Sequence, residues 1–257
     1  MYTVGIDIGS ITTKAAVLKD GNLICHRLIF TGYNSAAAGK SLFEQILQDA
    51  RISDSEDIKI VSTGYGRASL DFADKAITEI SCHAAGARYL NKTIRFIIDI
   101  GGQDSKAILL DENGKVKNFV MNDKCAAGTG RFLEVMARAL EINLDEFGAM
   151  SLKAKNPASI SGLCTVFAES EVISLISKGV AREDIVAGIH ESIGARIAAL
   201  ASRAGLTTPA MVTGGVAKNI GLIKALEKTL GFKAEISEYA QITGAIGAAV
   251  LAQNLSD

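Results

Sequence analysis

Apolar runs broken by short polar turns divide the chain into a pattern that occurs twice. Residues up to Ile8 predict a strand carrying Asp7 near its end, Gly9-Ser10 a tight turn, and the run to Leu18 a second strand. Asp20-Gly21-Asn22 supply turn chemistry before a third strand, Leu23 to Phe30. At an offset of 92 residues, Ile6-Asp7-Ile8-Gly9 falls on Ile98-Asp99-Ile100-Gly101 and Lys14-Ala15 on Lys106-Ala107, with seven of thirteen positions identical between 6–18 and 98–110. Asn113-Gly114-Lys115 and the run Val116 to Met121 complete the second copy. Helical spacing follows in each half, through Leu42, Phe43, Ile46, Leu47 and Ala50, and through Phe132, Leu133, Met136 and Leu140. A longer stripe runs through Ile185, Ile189, Ile193, Ile197 and Leu200. Each half then reaches an apolar strand ending in a Thr-Gly turn, Ile58 to Gly64 and Ala210 to Gly214. The simplest reading is two α/β lobes with a cleft between them, residues 1–91 and 92–241. Extra material at about 123–180 enlarges the second lobe, and a C-terminal helix over 242–257 packs back on the first.

Length and charge narrow the classes. The chain has 257 residues, about 1.7 times a typical domain of roughly 150, enough to bury a real core. Lys+Arg total 27 against 28 Asp+Glu, a net charge of −1 that argues against a nucleic-acid footprint. Met1 to Asp7 has no basic leader region and no run of 18 apolar residues occurs, so the expectation is a cytoplasmic chain with no membrane partner. Four cysteines lack any CxxC spacing, which in such a compartment leaves core thiols, a nucleophile or metal ligands.

The two Asp-x-Gly turns carry the first candidate chemistry. A strand ending in Asp-Ile-Gly puts a carboxylate at the cleft edge, and the glycine lets backbone N–H groups approach a phosphate. Gly9, Ser10, Ile11, Thr12, Thr13 and Lys14 add hydroxyls and a cation suited to a terminal phosphate; Gly101, Gly102, Gln103 and Asp104 add a second glycine and two polar side chains. Asp7 and Asp99 can hold the waters of a bound Mg²⁺. This duplication resembles that of the actin, Hsp70 and sugar kinase superfamily. The resemblance implies an α/β fold of duplicated ribonuclease H-like lobes with an interlobe ATP/ADP cleft. It also implies an adenosine motif, which Val212 to Asn219 fits through Gly214, Gly215, Ala217 and Asn219, with a later polar turn at Gln241. Taken alone, Thr213-Gly214-Gly215 also reads as a plain strand-to-helix turn.

Cys125 lies just before a Gly-rich helix start, Ala126-Ala127-Gly128-Thr129-Gly130, and Cys164 lies between Gly162 and an apparent helix onset. A [4Fe–4S] cluster takes four thiolates, so two such cysteines suffice if a two-fold dimer doubles them. The residues alone favour core or surface thiols over cluster ligands. The full strings Asn122 to Phe132, Cys164 to Ser174 and Asp99 to Asp104 closely resemble the activator components of 2-hydroxyacyl-CoA dehydratases, of the BadF/BadG/BcrA/BcrD-type ATPases, across essentially the whole chain. That resemblance implies a homodimer sharing one [4Fe–4S] cluster held by Cys125 and Cys164 of each subunit. It also implies one-electron reduction by ferredoxin or flavodoxin, and ATP-driven transfer of that electron to the dehydratase. Related subunits of benzoyl-CoA reductases, a small-molecule kinase of the same fold and an actin-like assembly protein are the alternatives.

Under the activator reading, ATP and Mg²⁺ close the lobes and reorient the helices after Cys125 and Cys164. Gln103 or Asp104 orients the attacking water. Making an electron more reducing by about 100 mV costs roughly 2.3 kcal/mol, so nucleotide must bind two conformations with different affinities. Cys25 and Cys82 read as packing residues, and His26 and His190 as surface or packing residues.

Overall fold

The apolar run that opens the chain becomes β1 (Tyr2–Ile8), buried from Thr3 to Ile8. A strand covered on both faces needs no polar alternation. The computed structural model, which describes residues 1–53, 57–161 and 164–255, pairs β1 antiparallel with β2 (Thr12–Lys19), setting Asp7 opposite Lys14. On its other side β1 pairs parallel with β4 (Ile58–Thr63), setting Asp7 opposite Thr63. With β3 (Asn22–Phe30) and β5 (Lys75–Ala76) at the edges, the order is β3-β2-β1-β4-β5.

One face of this sheet is covered by α1 (Ser35–Asp49), whose Leu42 and Ile46 pack among Val4, Ile6, Ile8 and Val17. The helix begins ahead of its apolar stripe because the Asn34 side chain caps it, accepting from the Ala37 N–H at 3.0 Å. Ala16 meets Ala245 and Ile246 of α8 (Thr243–Ala252), and Val61 meets Ala248 and Ala252 together with Cys82 of α2 (Glu79–Leu90).

The second sheet has the order β8-β7-β6-β9, built from β6 (Phe96–Ile100), β7 (Ser105–Leu110), β8 (Val116–Asn122) and β9 (Ala210–Thr213). The inserted segment forms α3 (Gly130–Ala139), α4 (Leu144–Ser151) and α5 (Thr165–Ser177). The long stripe becomes α6 (Arg182–Ala204), with Ile185, Ile189, Ile193, Ile197 and Leu200 all buried, and α7 (Ile220–Leu230) packs against it.

The chain divides into two compact units, Met1–Ile97 with Ile108–Asn118 and Ser237–Asp257, and Ile98–Ala107 with Phe119–Ile236. Among the described residues no helix is long and apolar enough to cross a membrane.

Candidate functional site

Both hairpin turns close on the same bond. The Gly9 N–H donates to the Thr12 carbonyl at 3.1 Å, and the Gly101 N–H to the Asp104 carbonyl at 2.9 Å. Behind the first turn, Thr31 Oγ1 donates to the Gly9 carbonyl at 2.8 Å. Its hydroxyl proton is thereby used, so Thr13 Oγ1 donates to Thr31 Oγ1 across 2.9 Å. Thr13 is a buried brace, while Ser10, Ile11 and Thr12 stay exposed or half-exposed at the tip. Asp7 is 3% exposed. Its Oδ2 accepts from Lys14 Nζ at 3.1 Å, and Oδ1 has no hydrogen-bond partner among the described residues. Leaving a buried acceptor unpaired costs about 1–3 kcal/mol, more when charged. Such an oxygen fits Mg²⁺ or a water held by it, since a hard cation takes oxygen ligands. At the end of β4, Thr63 Oγ1 is also buried, with no nitrogen or oxygen partner among the described residues and the Cys82 thiol beside it.

The second turn has the same plan with its polar atoms engaged. Thr213 Oγ1 donates to Asp99 Oδ1 at 2.8 Å, and Lys106 Nζ reaches Asp99 Oδ2 at 3.4 Å and Asp104 Oδ2 at 2.8 Å. Lys106 is 1% exposed and Gln103 is exposed. The Thr-Gly turns match as well: Gly64 has φ 87° and Gly214 φ 90°. A Cβ at Gly64 would overlap the Ile8 carbonyl and Asp7, and one at Gly214 the Ile100 carbonyl, so both strand ends require glycine.

α3 starts on the second turn. The Gly130 N–H donates to the Gly101 carbonyl at 2.9 Å and the Arg131 N–H to the Gly102 carbonyl at 2.8 Å, pairing amides that a helix start leaves without intrahelical partners. The loop before it carries Cys125 and is clamped by Asn122, which accepts from the Cys125 N–H at 3.3 Å and donates to the carbonyls of Cys125 at 2.8 Å and Ala127 at 3.2 Å. Arg196 of α6 brings Nη1 to 3.8 Å from Cys125 Sγ, a contact that no local spacing signals. Cys164 stands at the N-cap position of α5 with no side-chain capping bond among the described residues; Gly162 and Leu163 before it lie outside the described residues. α5 packs on α3 and leaves Val166, Phe167, Ile173 and Ile176 exposed.

Cys125 and Cys164 are free, half-exposed thiols on segments ahead of helices, a soft donor pair that fits half the ligand set of an iron–sulfur cluster. The other two cysteines differ. Burial pushes the Cys82 thiol up to about 12 and raises that of Cys25, and Cys82 is fully enclosed.

Beyond Thr213 the chain forms a single turn (Gly215–Lys218), with Gly215 exposed and Ala217 buried. Asn219 caps α7, its Oδ1 accepting from the Leu222 N–H at 2.9 Å and its amide lying 3.2 Å from His190 Nε2. His190 is buried beneath the edge-on ring of Phe147, and burial pulls its pKa down to about 4. The imidazole is therefore neutral, and Nε2 accepts from the Asn219 amide. The bond to Asp99 thus joins the Gly214–Asn219 segment to the second turn. Gln241 lies in the first unit, in the turn Ala240–Ile242, just before Gly244, which backs onto Asp7.

Paired Asp-x-Gly turns on duplicated α/β sheets define a protein of the actin/Hsp70/sugar-kinase fold. A ROK family glucokinase from Streptomyces griseus, in complex with glucose and AMPPNP, shares that fold with a TM-score of 0.60 over 99% of this chain and 100% of its own, at 16% identity. The family model for the BadF/BadG/BcrA/BcrD ATPases matches residues 4–252, and the chain belongs to that family. The activator of lactoyl-CoA dehydratase from Anaerotignum propionicum is 49% identical over 98% of this chain and 97% of its own. Component A of (R)-2-hydroxyglutaryl-CoA dehydratase from Acidaminococcus fermentans superposes with a TM-score of 0.94 at 45% identity, covering 98% of this chain and 97% of that one. The activator of 2-hydroxyisocaproyl-CoA dehydratase from Clostridium difficile, with bound ADPNP, gives 0.92 at 43% identity, covering 100% and 99%.

Proposed function

We propose that the chain is an ATP-dependent reductive activator of a 2-hydroxyacyl-CoA dehydratase. It acts as a homodimer that accepts one electron from a reduced ferredoxin or flavodoxin and couples hydrolysis of ATP to ADP and phosphate with delivery of that electron to the dehydratase. Cys125 and Cys164 of each subunit hold one shared [4Fe–4S] cluster, and Asp7 takes the Mg²⁺ that accompanies ATP. When bound, the cluster supplies reversible one-electron storage and Mg²⁺ neutralises phosphate charge.

The observation that carries this reading is the pair of bonds from the Gly130 and Arg131 N–H groups to the Gly101 and Gly102 carbonyls. They fasten the helix that follows Cys125 to a phosphate-type turn, so a shift of that turn moves the cysteine loop. A nucleotide can drive the shift only by binding its two positions with different affinity. The activator relatives, one of them holding ADPNP, support the same reading.

Ser10, Ile11 and Thr12 offer backbone and hydroxyl donors to the terminal phosphates, Gly9 leaves room for their close approach, and Lys14 offers a cation. Gln103 orients the attacking water, because Asp104 is engaged by Lys106. Gly214, Gly215, Ala217 and Gln241 approach the nucleoside, and Asn219 holds α7 behind it. The exposed Val166, Phe167, Ile173 and Ile176 near Cys164 give the second subunit an apolar face to cover.

Protein purified without oxygen should be brown, absorb broadly near ~400 nm and sediment as a dimer. Cys125→Ser and Cys164→Ser should each lose iron and electron transfer while still binding ADP. Full iron in either variant would overturn the ligand assignment.

A further inference from the structure

α6 carries two polar side chains that reach functional segments. His190 accepts from the Asn219 amide of the segment leading into α7, and Arg196 donates toward Cys125 Sγ at 3.8 Å. The cysteine has little freedom to choose another partner, because the Asn122 clamp fixes its N–H and carbonyl and Thr129 Oγ1 holds the Ala126 carbonyl at 2.7 Å. The approach of Arg196 depends on Gly128. That residue has φ 91°, and a Cβ there would lie 3.1 Å from Arg196 Cδ, so the aliphatic stem runs over bare backbone to bring the guanidinium to the sulfur. Arginine suits the position since it keeps its charge and carries several N–H donors on one plane.

We propose that Arg196 is a positioning and tuning residue for the iron–sulfur centre, donating an N–H···S hydrogen bond to the Cys125 thiolate. This inference rests on Cys125 being a cluster ligand. Hydrogen bonds to ligand sulfurs and nearby charge are among the levers that set such potentials. A donor with positive charge favours the reduced, more negative state, so Arg196 holds the potential higher than the four thiolates alone would. Because the same helix braces Asn219, a displacement of the nucleotide segment that moves α6 also changes this bond.

The test is an anaerobic redox titration of the iron-loaded dimer, followed by electron paramagnetic resonance, with iron content measured in parallel. Arg196→Gln should shift the midpoint to more negative potential, and Arg196→Lys, which keeps the charge on a different geometry, should shift it less. Gly128→Ala, which meets Arg196 Cδ at 3.1 Å and also strains a backbone held at φ 91°, should shift it in the same direction as Arg196→Gln. Wild-type protein that binds no iron would overturn the cluster reading itself. Wild-type and Arg196→Gln proteins with full iron and equal midpoints would overturn the role of Arg196 and leave that reading standing. Should Arg196→Gln fail to hold iron, Gly128→Ala decides: an unchanged midpoint there would also overturn the role.

Discussion

Asp7 and Asp99 stand at matching positions near the ends of β1 and β6, yet their carboxylates differ. Thr213 and Lys106 occupy both oxygens of Asp99, whereas Lys14 meets one oxygen of Asp7 and the other is buried without a partner. The threonines at the two Thr-Gly turns follow suit: Thr213 donates to its aspartate, whereas Thr63 Oγ1 has no nitrogen or oxygen partner among the described residues. The same sequence pattern thus yields one turn with unused polar capacity and one that is internally satisfied. The satisfied turn is also the one whose carbonyls hold α3. Under the proposed function, this contrast corresponds to ligand capture at the first turn and transmission toward Cys125 at the second.

Lys106→Met gives the largest effect expected from that contrast. It strands Asp99 and Asp104 without their cation, and losing one partner of a buried pair costs about 3–5 kcal/mol, readable as a lower urea midpoint. Asp7→Asn should do the reverse, keeping the unfolding free energy from urea titration within about 1 kcal/mol of the parent while cutting ATP hydrolysis by roughly 10²–10³-fold, as loss of a preorganised electrostatic contact does. Equal behaviour of Asp7→Asn and Asp99→Asn in both assays would erase the distinction between the turns.

Acid should loosen the second unit through His190. The unfolded chain takes up a proton near pH 6.5, whereas the folded imidazole resists it until about pH 4. Stability is therefore flat above pH 6.5 and falls by roughly 3 kcal/mol as pH drops through that window. In parallel urea titrations, His190→Gln should remove this part of the slope. The smallest and most symmetrical comparison pairs Thr213→Val with Thr63→Val. The first removes the hydrogen bond that Asp99 Oδ1 accepts and costs about 1–3 kcal/mol, while the second removes a hydroxyl whose neighbour is only the Cys82 thiol and should cost less than about 1 kcal/mol.

The duplicated sheets were legible because strand periodicity and turn residues act locally, and the 92-residue offset displays both copies side by side. Family membership followed from the strings around Asp99, Cys125 and Cys164. The division of labour between the turns was not legible, because it depends on partners distant in sequence. Thr13 looks like a phosphate donor until Thr31, 18 residues on, is seen to accept its hydrogen bond. Thr213 is 114 residues from Asp99 and Arg196 71 from Cys125, and neither pairing leaves a local trace. Lys106 repeats Lys14 in register, but only packing shows that it is enclosed between two carboxylates.

The claim that the second turn passes nucleotide binding to the cysteine loop is tested most directly by hydrogen exchange. Iron-loaded protein, kept free of oxygen, would be compared with and without Mg·ADP. The account predicts altered protection in peptides covering 99–106 and 122–133 together with those covering 7–14. A change confined to 7–14, with 122–133 exchanging as before, would contradict it.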